Sequence, residues 1–593
     1  MRELSPNAQR VLEARYLLRD SAGRPIEDFA GLCRRVAAAV AAAEPAFGGD
    51  AEATGERFAE LLLRREFLPN SPTLMNAGTT LGQLSACFVL PIEDSLESIF
   101  EAAKRMAVIH QSGGGTGFSF SRLRPAGDSV QTSPGIASGP VSFLTVFDAA
   151  TAVIRQGGRR RGANMGVLRV DHPDVFEFAA AKADPDRIAN FNLSVAATDA
   201  FFEAAVGGKD FDLTNPRDGR VTRSVPAREI LAAIVRNAWA SGDPGLLFLD
   251  AIERANPTPL QSPLEATNPC GELPLLANES CNLGSLRLDA FLRPDALRTD
   301  SGRWEDEIDL ERLDLAVDLT VRFLDDVIEV SRFPFPEIAS TTRRNRKLGL
   351  GVMGFADLLV ELGIAYDAPE ASAVASGVMA RIAARAERAS ARLAEERGVF
   401  PGFAGSRAEA RGLRLRNASL TSIAPTGTLS ILADCAGGIE PYFALAYVRH
   451  VLDGARLLET NPRFELALRD AGAWSSDLVA EIRARGSARG VAGVPERVQR
   501  LFPTAADLSP DAHLAVQEAF QRHVDNAVSK TINLPAEATR EDVERITLSA
   551  WRRGLKGVTG FREGGKGRAV LVRGSAGLEL GGDAPACTPQ RCD

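Results

Sequence analysis

The chain has 593 residues, 45% hydrophobic and 25% charged, which is enough apolar side chain for one very large domain or several smaller ones and excludes a disordered or fibrous protein. With 69 Lys and Arg interspersed among 77 Asp and Glu, a net charge of −8, it offers no electrostatic footprint for DNA, RNA or an anionic membrane. No stretch approaches the roughly 18 to 20 apolar residues of a spanning helix, and Met1–Leu4 lacks a signal-peptide core, so the expected location is the cytoplasm.

In chain order, helical periodicity predicts helices over Asn7–Leu18, Ile26–Ala43 and Ala53–Arg65, a small N-terminal helical region spanning 1–66. From about Phe67 short apolar runs alternate with amphipathic segments. Leu84–Leu90, Val167–Val170, Phe191–Val195, Leu246–Leu249 and Leu348–Val352 read as strands, and Ala227–Ala240 and Leu310–Val330 as helices. The alternation predicts an α/β domain over 67–567. Asp94 and Ser95 with Glu97 cap a helix over Leu96–His110, so the strand carrying Cys87 feeds into it. After about Arg568 helix and strand patterns fade, which predicts a flexible tail over 568–593.

Seven cysteines, at 33, 87, 270, 281, 435, 587 and 592, are an odd number in a long chain without a CxxC zinc spacing, so each is weighed by its own chemistry. Thr267 to Pro274 sets Cys270 in a loop bounded by proline and glycine. If that loop is extended, Asn268, Cys270 and Glu272 project to one side, a sulfur flanked by an amide and a potential base. In isolation, an inert buried thiol beside a turn is the commoner fate of such a residue. Cys33 and Cys435 read as core thiols.

Three segments together resemble one family: Asn268–Glu272, Glu279–Ser285 and Ser85–Phe100 match the radical loop and redox strands of ribonucleotide reductases. The resemblance continues in the same order through Leu68–Gly78, His110–Gly117, Arg159–Met165, Ala424–Leu429 and Ser529–Pro535. It implies a ten-stranded α/β barrel with Cys270 at the tip of a finger loop threaded through its centre. It further implies that a Cys270 thiyl radical takes the ribose 3′ hydrogen, that Glu272 is the base on the 3′-hydroxyl with Asn268 as hydrogen-bonding partner, and that Cys87 and Cys281 supply two electrons and become a disulfide. A barrel interior would protect such a radical from water.

The same resemblance gives roles to glycine-rich stretches that are weak signals alone. Substrate would lie beside Ser71, Ala86, Cys87, Gly115 and the finger residues Asn268, Pro269, Cys270, Gly271 and Glu272. Its diphosphate would meet Pro425, Thr426, Gly427, Thr428 and Leu429, which are not a P-loop. Arg160, Arg161 and Asn164 belong to the loop that would couple a deoxynucleoside triphosphate effector to substrate choice, with Asp94 as an acidic contact at a homodimer interface. A ribonucleoside diphosphate is the expected substrate.

Members that depend on a metal-containing radical subunit carry adjacent tyrosines near the end of the barrel; here Gly560 and Phe561 occupy that place. No glycyl-radical string is present either. The remaining source is adenosylcobalamin, in line with the likeness of Leu68–Gly78, Gln111–Pro125 and Gly554–Arg562 to the cobalamin-dependent branch. No histidine is assigned to cobalt, and no metal ligand is expected. Cys587 and Cys592 would shuttle electrons from a thioredoxin- or glutaredoxin-like donor to the Cys87 and Cys281 pair. The rivals are a reductase large subunit that needs a metal radical partner, a non-catalytic nucleotide-binding regulator, and a thiol oxidoreductase of another kind.

Overall fold

A computed structural model describes residues 3–130, 135–156, 160–184, 186–294, 303–450, 456–565, 571–574 and 577–580. The N-terminal helices begin where side chains satisfy their free amides. Ser5 caps α1 (Pro6–Val11), Asp28 caps α2 (Phe29–Ala41) and Asp50 caps α3 (Ala51–Leu63). The first predicted helix does not run on to Leu18. It ends as a π turn over Leu12–Tyr16, closed by the Leu17 amide on the Leu12 carbonyl. Leu32, Val36 and Val40 of α2 share one core with Phe58 and Leu62 of α3.

Ten strands follow: β1 (Phe67–Pro69), β2 (Cys87–Leu90), β3 (Gly115–Ser119), β4 (Asn164–Arg169), β5 (Phe191–Ala197), β6 (Gly245–Phe248), β7 (Glu279–Arg287), β8 (Leu348–Met353), β9 (Thr531–Leu534) and β10 (Gly557–Arg562). They form one ten-stranded sheet in the order β1-β7-β2-β3-β4-β5-β6-β10-β9, with β8 also on β7. The ring closes through extended backbone: Leu350 bridges Thr421, and Ile423 bridges Val528 just before β9. A closed ring leaves no long edge exposed. β7 is the junction. Its Glu279–Cys281 end pairs antiparallel with β2, and Asn282–Arg287 pairs in parallel with β8 while Gly284–Leu286 pairs with β1.

Strand alternation sorts side chains between the barrel interior and the helices outside. Met165 and Val167 of β4 join Cys87, Ala266, Leu273 and Cys281 in the inner cluster, whereas Leu168 packs outward with Phe147 and Phe191. The outer layer includes α4 (Leu96–Gln111), α5 (Gly139–Val153), α6 (Leu310–Val330), α7 (Pro369–Arg397) and α8 (Gly427–Ala433). α6 carries the buried acids Asp325 and Asp326. They face Arg397 of α7, which also reaches Glu44 of the N-terminal region at 2.7 Å. No helix among the described residues is long and apolar enough to cross a membrane.

The sequence pattern misses one feature. Leu571–Gly574 and Gly577–Leu580 form strands within the segment expected to be a tail, and the second pairs with Val448 and Arg449. These short strands find their partner more than 120 residues back, a non-local pairing that no local periodicity reports.

Candidate active site

The finger loop is a two-residue ladder, Ala266–Thr267 against Pro274–Leu275, with a turn at its tip. The expected extended run is therefore a hairpin tip. Gly271 adopts φ +82°, the left-handed region that glycine enters without cost. The Asn268 side-chain oxygen accepts from the Leu273 amide at 3.0 Å, closing the turn. The loop crosses the barrel because each wall holds it. Asn192 Nδ2 donates to the Pro269 carbonyl at 2.8 Å, and on the other side the Glu272 carbonyl accepts from the Ala527 amide at 2.9 Å and the Ser422 hydroxyl at 2.9 Å. Close approach explains the glycines of β3: a Cβ on Gly117 would lie 1.7 Å from the Thr267 carbonyl oxygen, and one on Gly115 would lie 2.9 Å from the Pro269 ring.

Turned this way, Asn268, Cys270 and Glu272 line one cavity. Ser71, Ala86, Cys87, Gly115, Pro269, Thr426 and Leu429 line it as well. Gly271, Pro425, Gly427 and Thr428, also expected at the substrate, are chain neighbours of lining residues but do not line it themselves. Helix α8 starts at Gly427 after Thr426, whose φ is +52°. Cys270 is partly exposed, whereas Cys87 and Cys281 are buried. Cys87 and Cys281 are direct cross-strand partners of β2 and β7. Such pairs place their side chains on the same face with Cα atoms about 4.5 to 5.5 Å apart, inside the range a disulfide spans. Both are thiols in this structure.

The electrostatics separate these groups. Glu272 is fully buried, and desolvation pushes its carboxyl from the usual 4.5 up to about 7 against the hydrogen bond from Asn268. Its Oε2 has no hydrogen-bond partner among the described residues, the state of a base that awaits a donor. Asn268 Nδ2 donates to Cys87 Sγ at 3.2 Å, tying finger to strand. Burial, and then the Glu279 charge, push the Cys281 thiol far above its ordinary range. Its Sγ lies 3.4 Å from the carbonyl oxygens of Asn282 and Lys347, which share its one S–H donor. Glu279 is itself balanced by Lys347 at 2.7 Å.

The remaining expected residues lie apart from the cavity. Asp94 follows β2, where Oδ2 pairs with Arg124 Nε at 2.8 Å. Arg160 and Arg161 form a short ribbon with Arg155 and Gln156. Asn164 is buried; its Oδ1 accepts from Thr116 at 2.6 Å and its Nδ2 donates to Thr151 at 2.9 Å, so it anchors the end of that loop. Cys587 and Cys592 lie outside the described residues. Sequence reasoning missed Tyr16, whose hydroxyl lies 2.8 Å from Ser71 Oγ. It sits in a π turn, which the helical pattern of that segment does not distinguish from an α turn.

Among the described residues no histidine lines the cavity. Asp289, Asp357 and Cys435 bring possible ligand atoms within 4.8 Å of one another. Arg287 and Arg463 already occupy Asp289, and Arg463 and Tyr442 occupy Asp357, so guanidinium supplies the charge a cation would bring.

The model of the ribonucleotide reductase barrel domain matches residues 85–561, and that of the ribonucleotide reductase all-alpha domain matches residues 2–82. A vitamin B12-dependent ribonucleoside-diphosphate reductase of Mycobacterium tuberculosis (strain CDC 1551 / Oshkosh) is 52% identical over 96% of this chain and 81% of its own. A reductase of the same description from Thermoplasma acidophilum is 45% identical over 97% of this chain and 81% of its own. Among solved structures, the Actinobacillus ureae class Id ribonucleotide reductase alpha subunit superposes with a TM-score of 0.75, covering 95% of this chain and 97% of that one; at 22% identity this speaks to the fold.

Proposed function

The chain belongs to the ribonucleotide reductase family, and from that premise we propose that it reduces ribonucleoside diphosphates to 2′-deoxyribonucleotides with adenosylcobalamin as its radical source. The observation that carries the reading is the single cavity that gathers Asn268, Cys270 and Glu272 beside Cys87, with Cys281 directly across from Cys87.

A Cys270 thiyl radical removes the 3′ hydrogen of the ribose. Glu272, a carboxylate kept short of partners by burial, accepts the 3′-hydroxyl proton as charge develops there, and Asn268 orients the hydroxyl. The 2′-hydroxyl leaves as water. Cys87 and Cys281 supply two electrons and two protons and end as a disulfide, and the sugar radical then recovers its 3′ hydrogen from Cys270. The apolar walls, among them Leu283, Ala424 and Leu429, keep bulk water from the radical.

The cavity fits the proposed cofactor in one respect: Cys270 is its partly exposed thiol, within reach of a group at the cavity mouth. Bound there beside Cys270, adenosylcobalamin would supply homolytic cobalt–carbon chemistry, and Cys270 would hold the resulting radical. The residues supporting this source over a metal-bearing subunit are Gly560 and Phe561 of β10, neither of which can carry a phenoxyl radical.

We assign Asp94, Arg160, Arg161 and Asn164 to a deoxynucleoside triphosphate effector. Exposed Leu96, Phe100 and Val108 on α4 with Val153 on α5 are the apolar face for a second copy of the chain. Cys587 and Cys592 are the proposed relay from a thioredoxin- or glutaredoxin-like donor, with residues 1–66, 67–567 and 568–593 as helical region, barrel and tail, in the cytoplasm.

The test is to incubate the protein with adenosylcobalamin, a dithiol and cytidine diphosphate and measure deoxycytidine diphosphate. Product is expected from the unaltered protein and none from Cys270→Ser at an unchanged melting temperature. Product from Cys270→Ser, or activity that ignores cobalamin and needs a diferric or dimanganese partner, overturns the reading.

A further inference from the structure

The cavity lining contains no Lys, Arg or His; its one ionisable group besides the thiols is Glu272. A nucleoside diphosphate brings two to three negative charges, so any cationic side chain that meets it comes from outside that lining. The N-terminal segment supplies the candidate. Ser5 N donates to Asp434 Oδ2 at 3.3 Å, and Arg65 pairs with the same carboxylate at 2.6 Å, fixing α1 at the C-terminal end of α8. At the other end of α8, Arg15 Nη1 donates to Thr428 Oγ1 at 2.8 Å. Thr428 sits between the lining residues Thr426 and Leu429. The next residue, Tyr16, is 1% exposed, and its hydroxyl lies 2.8 Å from Oγ of the lining residue Ser71. The π turn carries both Arg15 and Tyr16, so two consecutive side chains bond to Thr428, next to the lining, and to Ser71, within it.

Arg15 is half-buried and has no carboxylate within ion-pair distance among the described residues; Thr428 is its hydrogen-bond partner. A guanidinium has five donors in a planar fork that fits phosphate oxygens two at a time. One donor on Thr428 leaves the rest of the fork available.

We propose that Arg15 binds the terminal phosphate of the ribonucleotide, a role that rests on the reading of this cavity as the ribonucleotide site. The N-terminal segment thereby completes the active site and favours phosphorylated substrates over free nucleosides.

The experiment measures equilibrium binding of cytidine diphosphate and of cytidine to the full chain, without cobalamin, for the unaltered protein, Arg15→Ala, Arg15→Gln and Arg15→Lys. Arg15→Gln keeps a donor toward Thr428 and decides the matter if Arg15→Ala does not fold. The expected result is an at least tenfold weaker affinity for cytidine diphosphate in the Ala and Gln variants, unchanged affinity for cytidine, and partial recovery in Lys. Affinity for the diphosphate within twofold of the unaltered protein, or equal losses for cytidine and its diphosphate, overturns the proposal. If the unaltered protein binds neither ligand, the ribonucleotide reading itself falls and takes this role with it.

Discussion

At the scale of single residues, Glu272 sets the pH behaviour. Its carboxyl titrates near 7 in the fold against the usual 4.5. Between those values the native chain keeps a proton the unfolded chain has released, so stability falls as pH rises through that window. The loss is on the order of 3 kcal/mol. Denaturant titrations at pH 4.5 and 7.5 should show a steeper decline in the unaltered protein than in Glu272→Gln, where buried Asp326, raised to about 8, still contributes. Activity should run the other way if Glu272 is the proposed base, which works as the carboxylate: kcat/KM should climb through about pH 7. The residues of this site were legible in the sequence as types and order, but their environments were not. Nothing in Asn268–Glu272 itself announces that Glu272 is fully buried. Arg15 and Tyr16 were invisible because their role depends on a contact with Thr428, more than 400 residues away, and one with Ser71.

At the scale of elements, the strands were easier to read than their arrangement. Leu310–Val330 emerges with the expected ends, since its apolar stripe is long and regular, and Ser95 caps α4 by accepting from the Ser98 amide. The barrel itself came from resemblance, because closure through Leu350, Thr421, Ile423 and Val528 is made of isolated bridges with no strand pattern. The finger's passage through the barrel is written in Gly117, yet a glycine in a strand has several meanings until its neighbour is known. Gly117→Ala should destabilise the protein by about 1–3 kcal/mol through overpacking and remove most activity, because the loop carrying Cys270 must shift to clear a contact of 1.7 Å. Thermal melts together with turnover on cytidine diphosphate check both halves. A variant with wild-type activity would show that the finger tolerates displacement.

At the scale of the whole molecule, the N-terminal helices and the barrel are joined by buried charge as well as by apolar contact. Arg397 is enclosed and touches Glu44, Asp325 and Asp326. Among these acids, desolvation pushes Asp326 up to about 8, although Arg397 draws it down. Arg397→Leu leaves Glu44 with Arg322 and Asp325 with Arg346 but takes from Asp326 the arginine that faces it; with the loss of packing it should cost about 3 kcal/mol, measured by denaturant unfolding at neutral pH, and a change below 1 kcal/mol would mean that a protonated Asp326 needs no cation. A different consequence follows from β7, which is buried along all nine residues and shared by β1, β2 and β8. Cys281 is welded into the seam where the two sides of the barrel meet, so it has no freedom to travel toward a donor. On the proposed mechanism, a spent disulfide at that seam would have to be regenerated by delivery, by a courier thin enough to enter where a folded protein cannot.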